Sequence, residues 1–304
     1  YRINQSAVVG IILAGILVGP SLLGLVTYTD FVATLAHLGA VVLLFTIGLE
    51  FSIKEIAKIR YLVIGLFGVI VPALSGFFLA RMFDFDFNAS VFVGTALTAT
   101  SIAITANVLR EMGKLKTEAA KAIIGAAVID DVLALLALSV SEGLVSGELS
   151  TISLLVTAAK AITFIVLGIL IGKLVLNKLL VRLDKTQICR KYPESIFIFA
   201  IMVAFFYAMA AELVGLSAIV GSFLAGASFA GVKLTRGHIF REGAEHLQII
   251  FASIFFVSLG VIMDLHFVTP ALLWFVLVLS VVAILTKVIG CGLPALMQRI
   301  SLKD

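Results

Sequence analysis

Ten apolar runs follow one another along this chain, near residues 6–26, 32–49, 60–82, 89–110, 117–141, 152–180, 194–213, 215–232, 246–263 and 267–298. About 20 apolar residues carry a helix across a bilayer, and lipid leaves no exposed backbone group satisfied, so each run reads as a membrane-crossing helix. The composition agrees: 62% of the 304 residues are hydrophobic and only 13% charged, where soluble domains average about 45–50% and about 25%. The chain cannot cover itself with polar surface. The expected fold is an all-α integral membrane bundle, one transmembrane domain over residues 1–304 with no room for a domain outside the membrane. Disorder, a collagen-like repeat and a disulfide scaffold are excluded by the same numbers. Cys189, in a basic loop, and Cys291, in an apolar run, imply neither a metal pair nor a framework. The chain opens at Tyr1 and its first run has no charged leader or small-residue cleavage site, so it is expected to start inside a longer protein rather than with a removable signal.

The connections sort by charge. Lys54, Lys58 and Arg60 follow the second run; Arg110, Lys114, Lys116 and Lys121 follow the fourth; Lys173, Lys178, Arg182, Lys185, Arg190 and Lys191 surround the end of the sixth. Lys233, Arg236 and Arg241 follow the eighth, and Arg299 and Lys303 the tenth, while the opposite set of connections holds only Arg81. Cytoplasmic loops collect Lys and Arg, so the basic connections are expected in the cytoplasm. The net charge of +4 is thereby accounted for without a nucleic-acid partner.

An internal match sets the architecture. Ser6 to Gly15 (SAVVGIILAG) and Ser217 to Gly226 (SAIVGSFLAG) agree at seven of ten positions, at an offset of 211 residues. Phe45 to Gly48 falls near Val257 to Gly260, and Pro72-Ala-Leu74 near Pro294-Ala-Leu296. Seven runs separate the first copy from the second, an odd number, so the copies cross the membrane in opposite senses. Inverted repeats of this kind belong to secondary transporters. The first repeat covers about 6–141 and the second about 215–304; on this reading the second is incomplete, its last two helices falling past Asp304.

Charges inside the membrane mark the site. Asp130 and Asp131 lie mid-way along the fifth run, and intramembrane ionisable residues are costly and functional by default. Neighbours on a helix point about 100° apart, so the two carboxylates are expected to do different work. Lys287 is a lone cation in the tenth run, and counted from the basic end it lies at nearly the same depth as Asp130, so the two can pair. The fourth run crowds hydroxyls at Thr95, Thr98, Thr100, Ser101 and Thr105. Such side chains tolerate a break in a membrane helix, and freed carbonyls with hydroxyl and carboxylate oxygens suit a hard monovalent cation. Lys160 is expected to snorkel, Glu50 to sit at the interface and Glu212 in solvent; the four histidines show no ligand spacing.

These residues resemble a known family. Gly15-Ile-Leu-Val-Gly-Pro20, Gly48-Leu-Glu-Phe51, Thr98-Ala-Thr-Ser101, Ile129-Asp-Asp131, Phe255 to Gly260 and Lys287 look like the monovalent cation/proton antiporters, in particular the bacterial and archaeal sodium/proton exchangers with an Asp-Asp pair. The resemblance implies two crossing, partly unwound helices in a mobile core, elevator-like movement, a second domain that mediates homodimerisation, and a prokaryotic cell membrane. It further implies that Asp131 binds the sodium ion and the proton, that Asp130 partners Lys287, and that Thr100 and Ser101 lie at the break. The two-carboxylate type is electrogenic, exchanging two protons for one sodium. No enzyme chemistry and no cofactor is expected, only transported sodium or lithium and protons. Half of the crossing would lie past Asp304.

Two alternatives stay close. Potassium-efflux relatives resemble the first and ninth runs but carry Gln-Asp where this chain has Asp130-Asp131, and a sodium-coupled solute symporter would share an inverted-repeat fold. An intramembrane aspartyl protease needs carboxylates that converge from different helices, and a pore with gating charges needs a regular run of basic residues; neither pattern occurs.

Overall fold

The computed structural model describes residues 6–56, 58–147, 151–235, 237–298 and 300. Among the described residues every regular element is helical. Seven helices among them are, by length and composition, apolar enough to cross a membrane. They are α2 (Asp30–Gly48), α4 (Ile59–Met82), α7 (Glu118–Ser146), α8 (Thr151–Ile171) continued into α9 (Asn177–Asp184), α11 (Ser195–Leu213), α13 (Gly237–Val261) and α14 (Pro270–Met297). Shorter helices are α1 (Ala7–Val18), α3 (Ile53–Ile56), α5 (Phe87–Ala96), α6 (Ile102–Glu111), α10 (Gln187–Lys191) and α12 (Ala218–Phe229).

Three apolar runs are therefore not continuous spans. In the first, the helix stops at Val18 and the chain continues to Thr29 in turns, since Pro20 and Gly24 cannot prolong it. In the fourth, α5 and α6 are separated at Leu97–Ser101. In the eighth, α12 ends at Phe229.

The repeat appears in the caps and in the packing. Ser6 and Ser217 each cap a twelve-residue helix by accepting from the backbone N–H two residues on. A Cβ on Gly15 would lie 2.1 Å from the carbonyl oxygen of Val257 and 3.0 Å from the Cα of Gly260; one on Gly226 would lie 2.1 Å from that of Phe45 and 3.0 Å from the Cα of Gly48. These contacts are the same contact made twice, because Gly15 matches Gly226 and the Phe45–Gly48 segment matches Val257–Gly260. Without a hydrophobic drive between helices in lipid, bare glycine backbones supply the close packing that holds α1 on α13 and α12 on α2. Gly39 of α2 meets Phe251 of α13, its own counterpart in the repeat, which puts the pseudo-twofold axis between those helices. The α2 segment from Gly39 to Gly48 is buried throughout.

Hydrogen bonds define the two ends of the bundle. Glu111 accepts from the Ala7 amide, Asp184 from the Thr235 amide, and Gln298 donates to the Arg60 carbonyl, so the basic connections gather at one end. At the other, Ser21 donates to the Met263 carbonyl and accepts from the Leu265 amide. There Asp264, outside the spanning helices, accepts from the backbone N–H and ring of His266, and these bonds hold its carboxyl below the usual range.

Some local expectations change. Cys189 is not a loop residue: it is 1% exposed, within α10. Glu212 is not simply solvated, since it meets His37 of α2 at 2.8 Å, although both side chains remain about half exposed or more. Lys160 is exposed, and Glu50 is partly exposed, 3.9 Å from Lys116. A π-helical turn at Gly172–Leu176 joins α8 to α9, with Gly172 against Ser228 of α12. One turn before it, Tyr207 of α11 donates to the Gly168 carbonyl at 2.8 Å. Tyr207→Phe removes that buried bond and is expected to cost about 1 kcal/mol of stability, read as a lower melting temperature in detergent.

Candidate ion site

The break in the fourth run is where the buried charge collects. The α5 helix ends at Ala96, and the Thr98 hydroxyl folds back to the Thr95 carbonyl at 2.7 Å. The Thr95 hydroxyl bonds Ser141 of α7 at 2.5 Å, pinning α5 to that helix. The α6 helix restarts with Ser101 as its N-cap, the hydroxyl accepting from the Ile104 amide at 3.3 Å. Two half-helix ends thus face each other inside the bundle, carbonyls from one and amides from the other, which is where partial charges for binding ions are strongest.

Lys287 of α14 reaches into the break. Its ammonium donates to the Thr98 carbonyl at 2.7 Å, the Thr100 hydroxyl at 2.7 Å and the Gly68 carbonyl of α4 at 2.8 Å, and lies 3.5 Å from Asp130 Oδ2. Three short bonds to neutral oxygens and a longer ion pair place the cation in a cradle of α4 and the unwound segment. Asp130 is 3% exposed, and its Oδ1 has no hydrogen-bond partner among the described residues.

The adjacent carboxylates diverge into separate spaces. Asp130 and Lys287 line a largely apolar cavity of about 780 Å³ between α4, α7 and α14. Asp131 lines another, of about 620 Å³, with Thr95, Thr98, Thr100, Ser101 and Ser217. Thr100 borders both. Asp131 forms no ion pair among the described residues, and the other polar side chains lining its cavity are the hydroxyls of Thr95, Thr98, Thr100, Ser101 and Ser217. All five residues singled out in the sequence, Asp130, Asp131, Thr100, Ser101 and Lys287, therefore lie at the break, with Asp131 apart from the lysine. No group of three His, Cys, Asp or Glu side chains fit to hold a resident metal occurs among the described residues.

Of the two backbone acceptors, Thr98 is one of the freed carbonyls expected in the fourth run, while Gly68 of α4 was missed by sequence reasoning. Both carbonyls are free for chemical reasons: Thr98 lies beyond the end of α5, and Gly68 precedes Pro72 by four residues, so the helix supplies no N–H for its oxygen.

An inverted repeat wrapped around a broken helix, with paired charge at the break, is the architecture of a secondary transporter. Residues 1–304 match the family described as the sodium/hydrogen exchanger, transmembrane, and the chain belongs to it. It is 30% identical over 306 residues to the Na(+)/H(+)-K(+) antiporter GerN of Bacillus cereus, covering 100% of this chain and 77% of that protein. It is 31% identical over 294 residues to a Na(+)/H(+) antiporter of Enterococcus hirae, covering 95% and 75%. Its fold is similar to that of the sodium proton antiporter MjNhaP1 of Methanocaldococcus jannaschii, with a TM-score of 0.74 at 16% identity over 100% of this chain and 74% of that one.

Proposed function

We propose that this chain forms the ion site of an antiporter that exchanges sodium, or lithium, for protons across a prokaryotic cell membrane, with the basic connections in the cytoplasm. The observation that carries the proposal is the divergence of Asp130 and Asp131 into separate cavities that share Thr100, one carboxylate 3.5 Å from Lys287 and the other in a cavity whose remaining polar side chains, among the described residues, are hydroxyls. Asp131 is then the exchange group: deprotonated, it takes a sodium ion with oxygens of the broken segment; protonated, it cannot. Two ligands competing for one carboxylate couple their movements, provided that the site opens to one side at a time. Asp130 and Lys287 form the second element, whose pair loosens when the ion binds and closes when it leaves, so that two protons move for one sodium and the exchange is electrogenic. Movement is elevator-like, of a core that includes α4 to α7 and α14, in a homodimer. The names of the relatives from Bacillus cereus and Enterococcus hirae support this assignment.

The test uses intact protein in proteoliposomes carrying an inward-acid gradient and a fluorescent pH reporter. Sodium and lithium are expected to collapse the gradient. Collapse by potassium alone would favour the second reading, a potassium/proton antiporter, for which the potassium in the GerN name speaks; no response to any cation would return a sodium-coupled solute symporter to first place. Lys287→Ala strips Asp130 of its cation and leaves the Gly68 and Thr98 carbonyls without their side-chain donor. Removing one partner of a buried pair costs about 3–5 kcal/mol. The variant is expected to exchange more slowly and to lose its response to an imposed membrane potential.

A further inference from the structure

Helix α4 carries a buried proline well inside its length, Pro72, and lipid is a poor place to waste a backbone hydrogen bond. A proline has no N–H, so the carbonyl four residues before it loses its helical donor. That carbonyl belongs to Gly68, which accepts from the Lys287 ammonium at 2.8 Å. The residue at 68 also matters, because the helices are close here: a Cβ on Gly68 would lie 2.7 Å from the Cys291 sulfur, one turn beyond Lys287 on α14.

We propose that Pro72 is a positioning residue for Lys287, holding one carbonyl of α4 open so that the ammonium is anchored beside Asp130 by backbone rather than by the carboxylate alone. The anchor explains the geometry of the cradle, in which the neutral oxygens lie at 2.7–2.8 Å and the carboxylate at 3.5 Å. A lysine held in this way stays at its depth while Asp130 changes partner. The second repeat supplies an internal comparison. Pro294 of α14, three residues before the end of that helix, likewise leaves the carbonyl of Gly290 without its helical donor, yet no side chain donates to that oxygen among the described residues. A helix-interior proline is thus tied to the lysine in α4 and not in α14. The transport consequence rests on the exchange reading above; the anchoring does not.

The experiment is reductive methylation of the intact protein in detergent with formaldehyde and borohydride, small reagents that the cavity beside Lys287 admits. The rate is followed at Lys287 by peptide mass spectrometry across a pH series. In Pro72→Ala the helix regains its N–H, Gly68 turns back to it, and Lys287 is expected to react roughly ten-fold faster, the change that loss of one hydrogen bond to a charged donor brings. Pro294→Ala is expected to leave the Lys287 rate at its wild-type value while changing thermal stability in the same direction as Pro72→Ala. An unchanged rate in Pro72→Ala, or equal acceleration in both variants, overturns the anchoring. Exchange that persists unaltered in Lys287→Ala would defeat the role given to the lysine in transport, and the labelling rates would still decide the anchor.

Discussion

Asp131→Asn is expected to abolish cation/proton exchange, leaving no sodium-dependent collapse of a pH gradient while the protein still folds and inserts. The substitution keeps the size and shape of the side chain, exchanges one acceptor oxygen for an NH2 donor, and removes its charge and its titration. Asp131 contributes no ion pair to the fold among the described residues, so little stability depends on that charge. On the proposed reading, what is lost is the carboxylate, unique among the described residues lining the cavity bordered by Thr100 and Ser101, for which proton and cation compete. Asp130→Asn should behave differently, because that carboxylate faces Lys287: turnover is expected to fall and thermal stability to change with it. Full sodium-dependent proton movement by Asp131→Asn would sink the assignment.

The second large effect is on the fold. Gly226→Val places a branched side chain where even a Cβ would lie 2.1 Å from the Phe45 carbonyl oxygen, a backbone atom that cannot swing aside. Overpacking a tight contact costs about 1–3 kcal/mol and more where backbone is hit, and α2 is buried along most of its length, so the strain has no free surface to relax into. The variant is expected to lose its monodisperse peak in detergent, or to melt far below the wild type. The equivalent Gly15→Val should do the same through Val257, since the repeat makes the same crossing twice. A melting temperature unchanged in both variants would show that these helices do not cross at their glycines.

Several features were legible in the sequence because they follow from chemistry visible residue by residue. The seven shared residues of Ser6–Gly15 and Ser217–Gly226 include the two serines that cap α1 and α12 and the two glycines at the crossings, so sequence identity there reports a repeated contact. Counting residues from the basic end put Asp130 and Lys287 at one depth, and in the fold they are 3.5 Å apart. The hydroxyls of the fourth run announced a break, and the chain unwinds at Leu97–Ser101.

Other features were not legible, for reasons equally physical. An apolar run records what the membrane tolerates, not where a helix stops: Gly19-Pro20 marks a break, but not that the chain stays in turns from there to Thr29. The meeting of His37 with Glu212 depends on α2 lying beside the end of α11, 175 residues away in sequence. Backbone acceptors have no side-chain signature, which is why Gly68 escaped notice; its only trace was Pro72, four residues further on.

The central claim is that sodium and protons compete for one carboxylate. The most direct measurement is proton release on sodium binding: intact protein in weakly buffered detergent solution, titrated with sodium chloride against choline chloride while bulk pH is recorded. The account predicts that sodium releases protons in a saturable manner from the wild type and releases none from Asp131→Asn. Sodium binding without proton release, or equal release from the variant, would contradict it.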